Sequence, residues 1–170
     1  ALANHAASFT LGGEWARMED TRKGYINNAG VAGDLRRDEL DTGENRDVYA
    51  IVQWQASERW DWLLGVRHSD LEFSVDDHYV IPNKNTDDSG ERNFSQTAEA
   101  ISTRYQLDQH WSLQAAAGKG FETPTLTEMA YTNGDKGFNN SLNASDNRQR
   151  QLGVDYKNAA LTLGVTAFAI

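Results

Sequence analysis

The sequence contains no cysteine, only two prolines in 170 residues, and fewer basic than acidic side chains, 16 against 25. Without cysteine there are no disulfide staples, thiolate zinc sites or cysteine nucleophiles. The formal charge of -9 excludes nucleic acid as a partner, because a phosphate backbone requires an excess of lysine and arginine. No stretch approaches the roughly 18 consecutive apolar residues that a membrane-spanning helix needs. Large aliphatic residues and phenylalanine are also scarce: 14 Leu, 5 Ile, 8 Val and 6 Phe make up about 19 % of the chain, a composition close to that of disordered proteins. Serine never occurs as Gly-x-Ser-x-Gly, and the four histidines, His5, His68, His78 and His110, lack the spacing of a metal site. Neither an enzyme nor a resident cofactor is expected.

What argues against disorder is the arrangement of the few apolar residues. Phe9, Leu11, Gly13 and Trp15 share one parity, and Ser8, Thr10, Gly12 and Glu14 the other. This period of two belongs to a strand with unlike faces. The same alternation runs through Val48-Ala50-Val52-Trp54, Trp60-Trp62-Leu64-Val66, Trp111-Leu113-Ala115-Ala117, Leu152-Val154-Tyr156 and Leu161-Leu163-Val165-Ala167. Between Asn93 and Tyr105 apolar residues fall on both parities, so a strand is expected there without a defined facing. Seven strands result, near 7–18, 46–56, 60–75, 93–106, 111–121, 148–156 and 160–170, and the fold class is an all-β antiparallel up-and-down meander.

The connections alternate in length. Ser57-Glu58-Arg59, Leu107 to His110 and Lys157-Asn158-Ala159 have hairpin length, whereas 19–45, 76–92 and 122–147 are long and contain both prolines. Successive turns of a meander lie at opposite ends, so the long loops gather at one end and the short turns at the other. Charge divides in the same way. The long segments carry 16 acids and 7 bases, the entire net charge of -9, and the strands with their short turns are neutral. Trp54, Trp60, Trp62, Trp111, Tyr105 and Tyr156 cluster beside the short turns, as an interfacial aromatic girdle does. Phe9, Leu11, Trp54, Trp62, Leu64, Leu113, Ala115, Leu161, Leu163 and Val165 are expected to face lipid. A Greek-key sandwich has no reason to sort its loops, whereas a transmembrane β-barrel does.

Three segments carry a family resemblance. Ala117-Gly118-Lys119-Gly120-Phe121-Glu122-Thr123-Pro124-Thr125 fits a strand ending in Gly-x-Gly-Phe-x-x-Pro-Thr; Arg150-Gln151-Leu152-Gly153-Val154-Asp155-Tyr156 follows a long loop; and Trp62 to Asp70 reads as a barrel strand with its Gly-x-Arg. Together these resemble the late barrel of TonB-dependent outer-membrane receptors, siderophore receptors in particular. The resemblance implies the outer membrane of a Gram-negative bacterium, contact with its lipid, and a 22-stranded barrel closed by a plug domain through which TonB is engaged. Residues 1–170 are then expected to form a partial β-barrel domain, with the plug and the remaining strands absent from this chain. A ferric siderophore, or a similarly scarce small molecule, is the implied ligand. The boxes of haem receptors are not matched, since Phe121-Glu122-Thr123-Pro124 and Leu142-Asn143-Ala144-Ser145 stand in their places.

At the long-loop end an anionic chelate needs arginine or lysine for its oxygens and tyrosine for its flat faces. The candidates are Arg22, Tyr25, Arg36 and Arg37 in the first long segment, Tyr79 and Lys84 in the second, and Tyr131 and Lys136 in the third. The same positions also serve simply to balance the surrounding acids. Gly118-Lys119-Gly120 lacks the third glycine of a nucleotide loop. Asn83, Asn85, Asp87 and Asp88 approach a calcium loop, but Gly90 comes too late for one. Thr125 and Glu128 form the ends of a capping box, so a short helical turn is expected. Two other functions stay open from the residues alone: a soluble secreted β-protein that binds glycans through its loops, or a barrel of another class such as a porin or a surface enzyme.

Overall fold

The computed structural model describes residues 6–129 and 138–170. They form one antiparallel sheet of seven strands in sequence order: β1 (Ala7–Asn28), β2 (Val31–Ser57), β3 (Trp60–Asp77), β4 (Gly90–Gln106), β5 (Trp111–Glu122), β6 (Ser145–Lys157) and β7 (Thr162–Ala169). A four-residue helix, α1 (Leu126–Met129), interrupts the connection between β5 and β6. Each strand pairs with its sequence neighbour, and the connections alternate between the two ends as the link lengths require.

The first long segment departs from expectation, because 19–45 is not a loop. The ladder between β1 and β2 continues through Thr21↔Leu40, Arg22↔Glu39 and Lys23↔Asp38 to Asn28↔Val31. It is closed by a two-residue turn, with Ala29 at φ 51° and Gly30 at φ 91°. Positive φ at both central positions suits the right-handed twist of a hairpin, and the Asn27 side chain accepts the Gly30 N–H at 2.7 Å. Apolar alternation stops at Trp15 because both faces of the outer hairpin meet water, so burial no longer writes a pattern. Opposite charges placed across the strands take over as the pairing signal. Beyond Trp15 the hairpin rises thirteen residues, about 43 Å along the strand.

Parity through the register separates two faces. Phe9, Leu11, Val52, Trp54, Trp62, Leu64, Ile101, Leu113, Ala115, Leu152, Val154, Leu163 and Val165 share one, so the expected lipid-facing set occupies a single side of the sheet, except Leu161, which precedes β7 and lies outside the register. The facing of β4 is also resolved, with Ile101 and Tyr105 outside and Ala98 and Ala100 inside. Outer side chains splay, Leu11 to 82 % exposure, while Asp47, Ser69 and Ser112 on the other face are almost fully covered. A sheet curved toward its polar side produces this contrast.

The apolar band crosses the ladder obliquely. The last apolar residue before the first charged residue or histidine on the outer face is Trp15, Val48, Val66, Ile101, Ala117 and Leu152 on β1 to β6. Traced through the pairings to β1, these lie level with residues 15, 13, 11, 9, 9 and 7. Eight positions in five strand steps, with about 3.3 Å per residue and about 4.8 Å between strands, correspond to strands tilted roughly 45° from the band normal. Transmembrane barrels have this inclination. At the short-turn edge of the band Trp60 contacts Trp62 and Tyr105 at centroid distances of 5.4 and 6.0 Å, and Trp111 packs on Tyr156 at 4.9 Å. The Trp60 indole N–H donates to Thr103 Oγ1 at 2.7 Å, so the amphipathic ring has its polar partner.

Candidate functional site at the long-loop end

The outer hairpin brings Arg22 and Arg37 to the inner face with Glu39 and Asp41. Arg22 lies 3.1 Å from Asp41 and 3.3 Å from Glu39, and Arg37 pairs with Glu39. Both carboxylates are over nine-tenths covered. Burial pushes the Asp41 carboxyl above its usual range, and the hydrogen bond from Arg22 offsets part of that rise. These two arginines are therefore held in a local ion network. Arg36 is exposed on the opposite face, and Tyr25 lies opposite Leu35 beyond a register shift, 48 % exposed. All four are strand residues, not loop residues, which fixes their spacing along the hairpin.

The second connection, residues 78–89, is built by its own side chains. The Asp77 carboxylate accepts the N–H groups of Tyr79 and Asp88 at 2.9 and 3.2 Å, and the Ser89 hydroxyl accepts the Asp77 N–H at 2.9 Å. An Ile81–Asn85 bridge closes the tip, with Asn83 in the left-handed region at φ 64°. Lys84 is exposed at this tip and Tyr79 is half-buried at its base. Hydrogen bonds from the Ser89 hydroxyl and N–H hold the Asp87 carboxyl below its usual range. Among the described residues no three acids or histidines converge as metal ligands.

The third connection starts with the expected capping box. The Thr125 hydroxyl accepts the Glu128 N–H at 3.2 Å, and Glu128 accepts the Thr125 N–H at 2.8 Å. The Thr125 N–H and the Thr125 hydroxyl, which donates at 2.9 Å, hold the Glu128 carboxyl below its usual range. α1 ends in Met129, which is completely buried and whose carbonyl accepts the Asn139 N–H at 2.5 Å. The returning segment is fastened to the inner face of β4. Arg92 donates to the Leu142 carbonyl at 3.4 Å and to Asn143 Oδ1 at 3.0 Å while stacking 5.4 Å over Phe94. Phe138 lies on Gly90, where a Cβ would come within 2.3 Å of it. Tyr131 and Lys136 lie outside the described residues.

Sequence reasoning placed a mouth at this end but overlooked its fastenings. Gly90, Arg92 and Phe94 start β4 and carry no local motif, and Phe138 is about fifty residues away, so only the fold brings them together. Glu39 and Asp41, within the segment expected as a loop, belong to strand β2. Nor are the strands free of buried charge, because Asp47 on the inner face binds Arg67, which also reaches Glu14 at 3.3 Å, while Asn45 donates to Asp47 at 2.5 Å. This arrangement ties β1, β2 and β3 together on the inner face. Lower on the inner face, towards the short turns, Ser8, Gln53, Asp61, Arg104 and Gln114 line a polar concavity of about 660 Å³.

An obliquely banded meander with a polar concave side and an elaborated mouth matches known proteins. The family model described as TonB dependent receptor-like, beta-barrel, matches residues 2–170. Among solved structures, the unliganded ferric citrate transporter FecA superposes with a TM-score of 0.77 at 18 % identity, over 99 % of this chain and 25 % of that one. The ferric yersiniabactin uptake receptor FyuA of Yersinia pestis gives 0.64 at 20 % identity, over 99 % and 26 %. The copper transporter OprC gives 0.67 at 16 % identity, over 94 % and 27 %. The chain thus spans about a quarter of these proteins, and at such identities the likeness concerns the fold. Family membership sets aside the soluble glycan-binding and porin readings: the chain belongs to the TonB-dependent receptor β-barrel family of the Gram-negative outer membrane.

Proposed function

We propose that the whole protein takes up a ferric chelate of siderophore type in a TonB-coupled cycle, and that this chain supplies part of the barrel wall and of the outer mouth. TonB is engaged through a plug domain that these 170 residues do not include. The observation that carries this reading is the inward fastening of the third connection by Arg92 and by Phe138 on Gly90. A loop pinned to the lumen side places its polar groups over the entrance, where recognition on a rigid scaffold usually resides. Solved neighbours described as handling ferric citrate and ferric yersiniabactin support the ligand class.

With Arg22 and Arg37 held by Glu39 and Asp41 and Arg36 on the opposite face, Lys84 and Tyr79 of the second connection are the described basic and aromatic groups that an anionic chelate would meet. The acid excess at this end opposes an anion and favours a second reading, uptake of a cationic or metal-ion ligand, for which a copper transporter among the neighbours is the precedent. Growth of a deletion strain under iron limitation, with single purified siderophores supplied in turn, separates the two. Dependence of at least one siderophore on this protein supports the first. Dependence on copper, cobalamin or a sugar alone retains the receptor class and removes the siderophore.

A further inference from the structure

The outer face carries charge only where the apolar band ends, and most of that charge is neutralised locally. Arg17 pairs with Glu19 and lies 3.9 Å from Glu44, Arg46 pairs with Glu44, and Lys119 stands opposite Glu99 and 3.4 Å from Asp146. Arg148 and Arg150 differ. They lie on the same face of β6, opposite Lys119 and Ala117, are exposed, and form no ion pair among the described residues. Directly beside them is a groove of about 540 Å³ in the lipid-facing wall. Its floor is Val52, Leu64, Val66 and Ile101, and the small side chains Ala50 and Ala117 leave the depression. Every side chain of this floor has the lipid-facing parity, and the arginines form its rim on the long-loop side.

We infer that this groove and rim bind a phosphate-bearing lipid of the outer leaflet, its acyl chain along the apolar floor and its phosphate between Arg148 and Arg150. The position follows from the band: Leu152 is the last apolar residue of β6, so both guanidinium groups reach headgroup depth on the outer side. The chemistry follows from the two unpaired guanidinium groups, whose planar forks suit phosphate oxygens. Lys119 stands between the acids of the rim, Glu99 and Asp146, so that these three with Arg148 and Arg150 leave a net charge of +1, carried by the two arginines, which have no ion pair among the described residues.

The test uses the full-length receptor, purified in non-ionic detergent and titrated with diphosphoryl lipid A, with dephosphorylated lipid A in parallel, read by native mass spectrometry. We expect phosphate-dependent adducts that fall roughly tenfold or more in Arg148→Ala/Arg150→Ala and largely persist in Arg148→Lys/Arg150→Lys. Heat-modifiable electrophoretic mobility verifies folding. Should the double alanine variant not fold, Ala50→Trp fills the groove from β2, four strand steps from the arginines, and is expected to reduce the same adducts. Equal adducts for the two lipids, or undiminished phosphorylated adducts in the folded variants, overturn the assignment.

Discussion

Leu63 and Leu64 provide a direct test of which solvent covers each face. They are neighbours on β3, at nearly the same depth and with similar exposures of 42 % and 39 %, but on opposite faces. Leu64 pairs with Val52 and Ile101 in the middle of the apolar band, two alternations from Trp60 and two from His68. Leu63 pairs with Gln53 and Ser102 and joins the polar concavity. Arginine at 64 places a guanidinium near the hydrocarbon midplane, at about 2–4 kcal/mol, a factor of roughly 30 to 1000 in the folding equilibrium. Arginine at 63 enters a wet lumen beside Asp61 and Gln114 and is expected to cost about 0–1 kcal/mol, as water-facing substitutions do. The measurement is urea-dependent refolding of the full-length receptor into lipid vesicles, followed by heat-modifiable mobility. Equal costs at the two positions would mean that the faces are misassigned or that the chain does not span lipid. A larger cost at 63 would invert them.

Three further outcomes follow from particular contacts. Arg67→Ala removes the cation beside Asp47, only 3 % exposed; because Arg67 is itself half-exposed and Asn45 still donates to the carboxylate, a loss of about 1–3 kcal/mol is expected, recovered in large part by adding Asp47→Ala, as a double-mutant cycle in urea will show. At Gly12 a Cβ would come 2.2 Å from Tyr49 Cζ, so Gly12→Val must displace that ring at about 1–3 kcal/mol, and Tyr49→Ala in the same chain should relieve the clash. Asp108 accepts the N–H groups of His110 and Trp111 at 2.8 and 2.9 Å, which hold its carboxyl below the usual range. Its contribution is complete above the ordinary carboxylate pKa and is lost as pH falls through the depressed folded value. Asp108→Asn, which keeps the acceptor, should flatten the acid limb of the stability profile while Asp108→Ala also weakens the turn at neutral pH; an unaltered acid limb in both refutes the assignment.

Legibility in the sequence tracked the presence of two unlike solvents. Where one face meets lipid and the other water, as along Trp60 to Val66 or Trp111 to Ala117, burial imprints a period of two and the strands could be read directly. Above the band both faces of β1 and β2 meet water, the imprint vanishes, and the first half of a 27-residue strand carries no strand signal. The turn signal was present in Asn27-Asn28-Ala29-Gly30 but lacked flanking alternation to frame it. The capping box at Thr125 and Glu128 was legible because it is local. The fastening of Phe138 to Gly90, and of Asn143 to Arg92, joins segments some fifty residues apart and has no local signature.

The same distinction explains why wall and mouth obey different rules. A wall position needs only the right polarity for its side of the sheet, and many residues satisfy that, so superposition with FecA persists at 18 % identity. A mouth position is specified by individual partners: Asp77 must accept two backbone N–H groups, and Gly90 must leave room for a phenyl ring. Such constraints fix the shape of a loop without fixing its ligand, because the groups that hold the loop are consumed in holding it. Arg22, Arg37 and Arg92 are all engaged in this way, leaving Arg36 and Lys84 as the exposed cations among the described candidates. On the reading proposed above, recognition rests on such unengaged side chains against an acidic background, and exchanging Lys84 should alter ligand binding with little effect on the barrel.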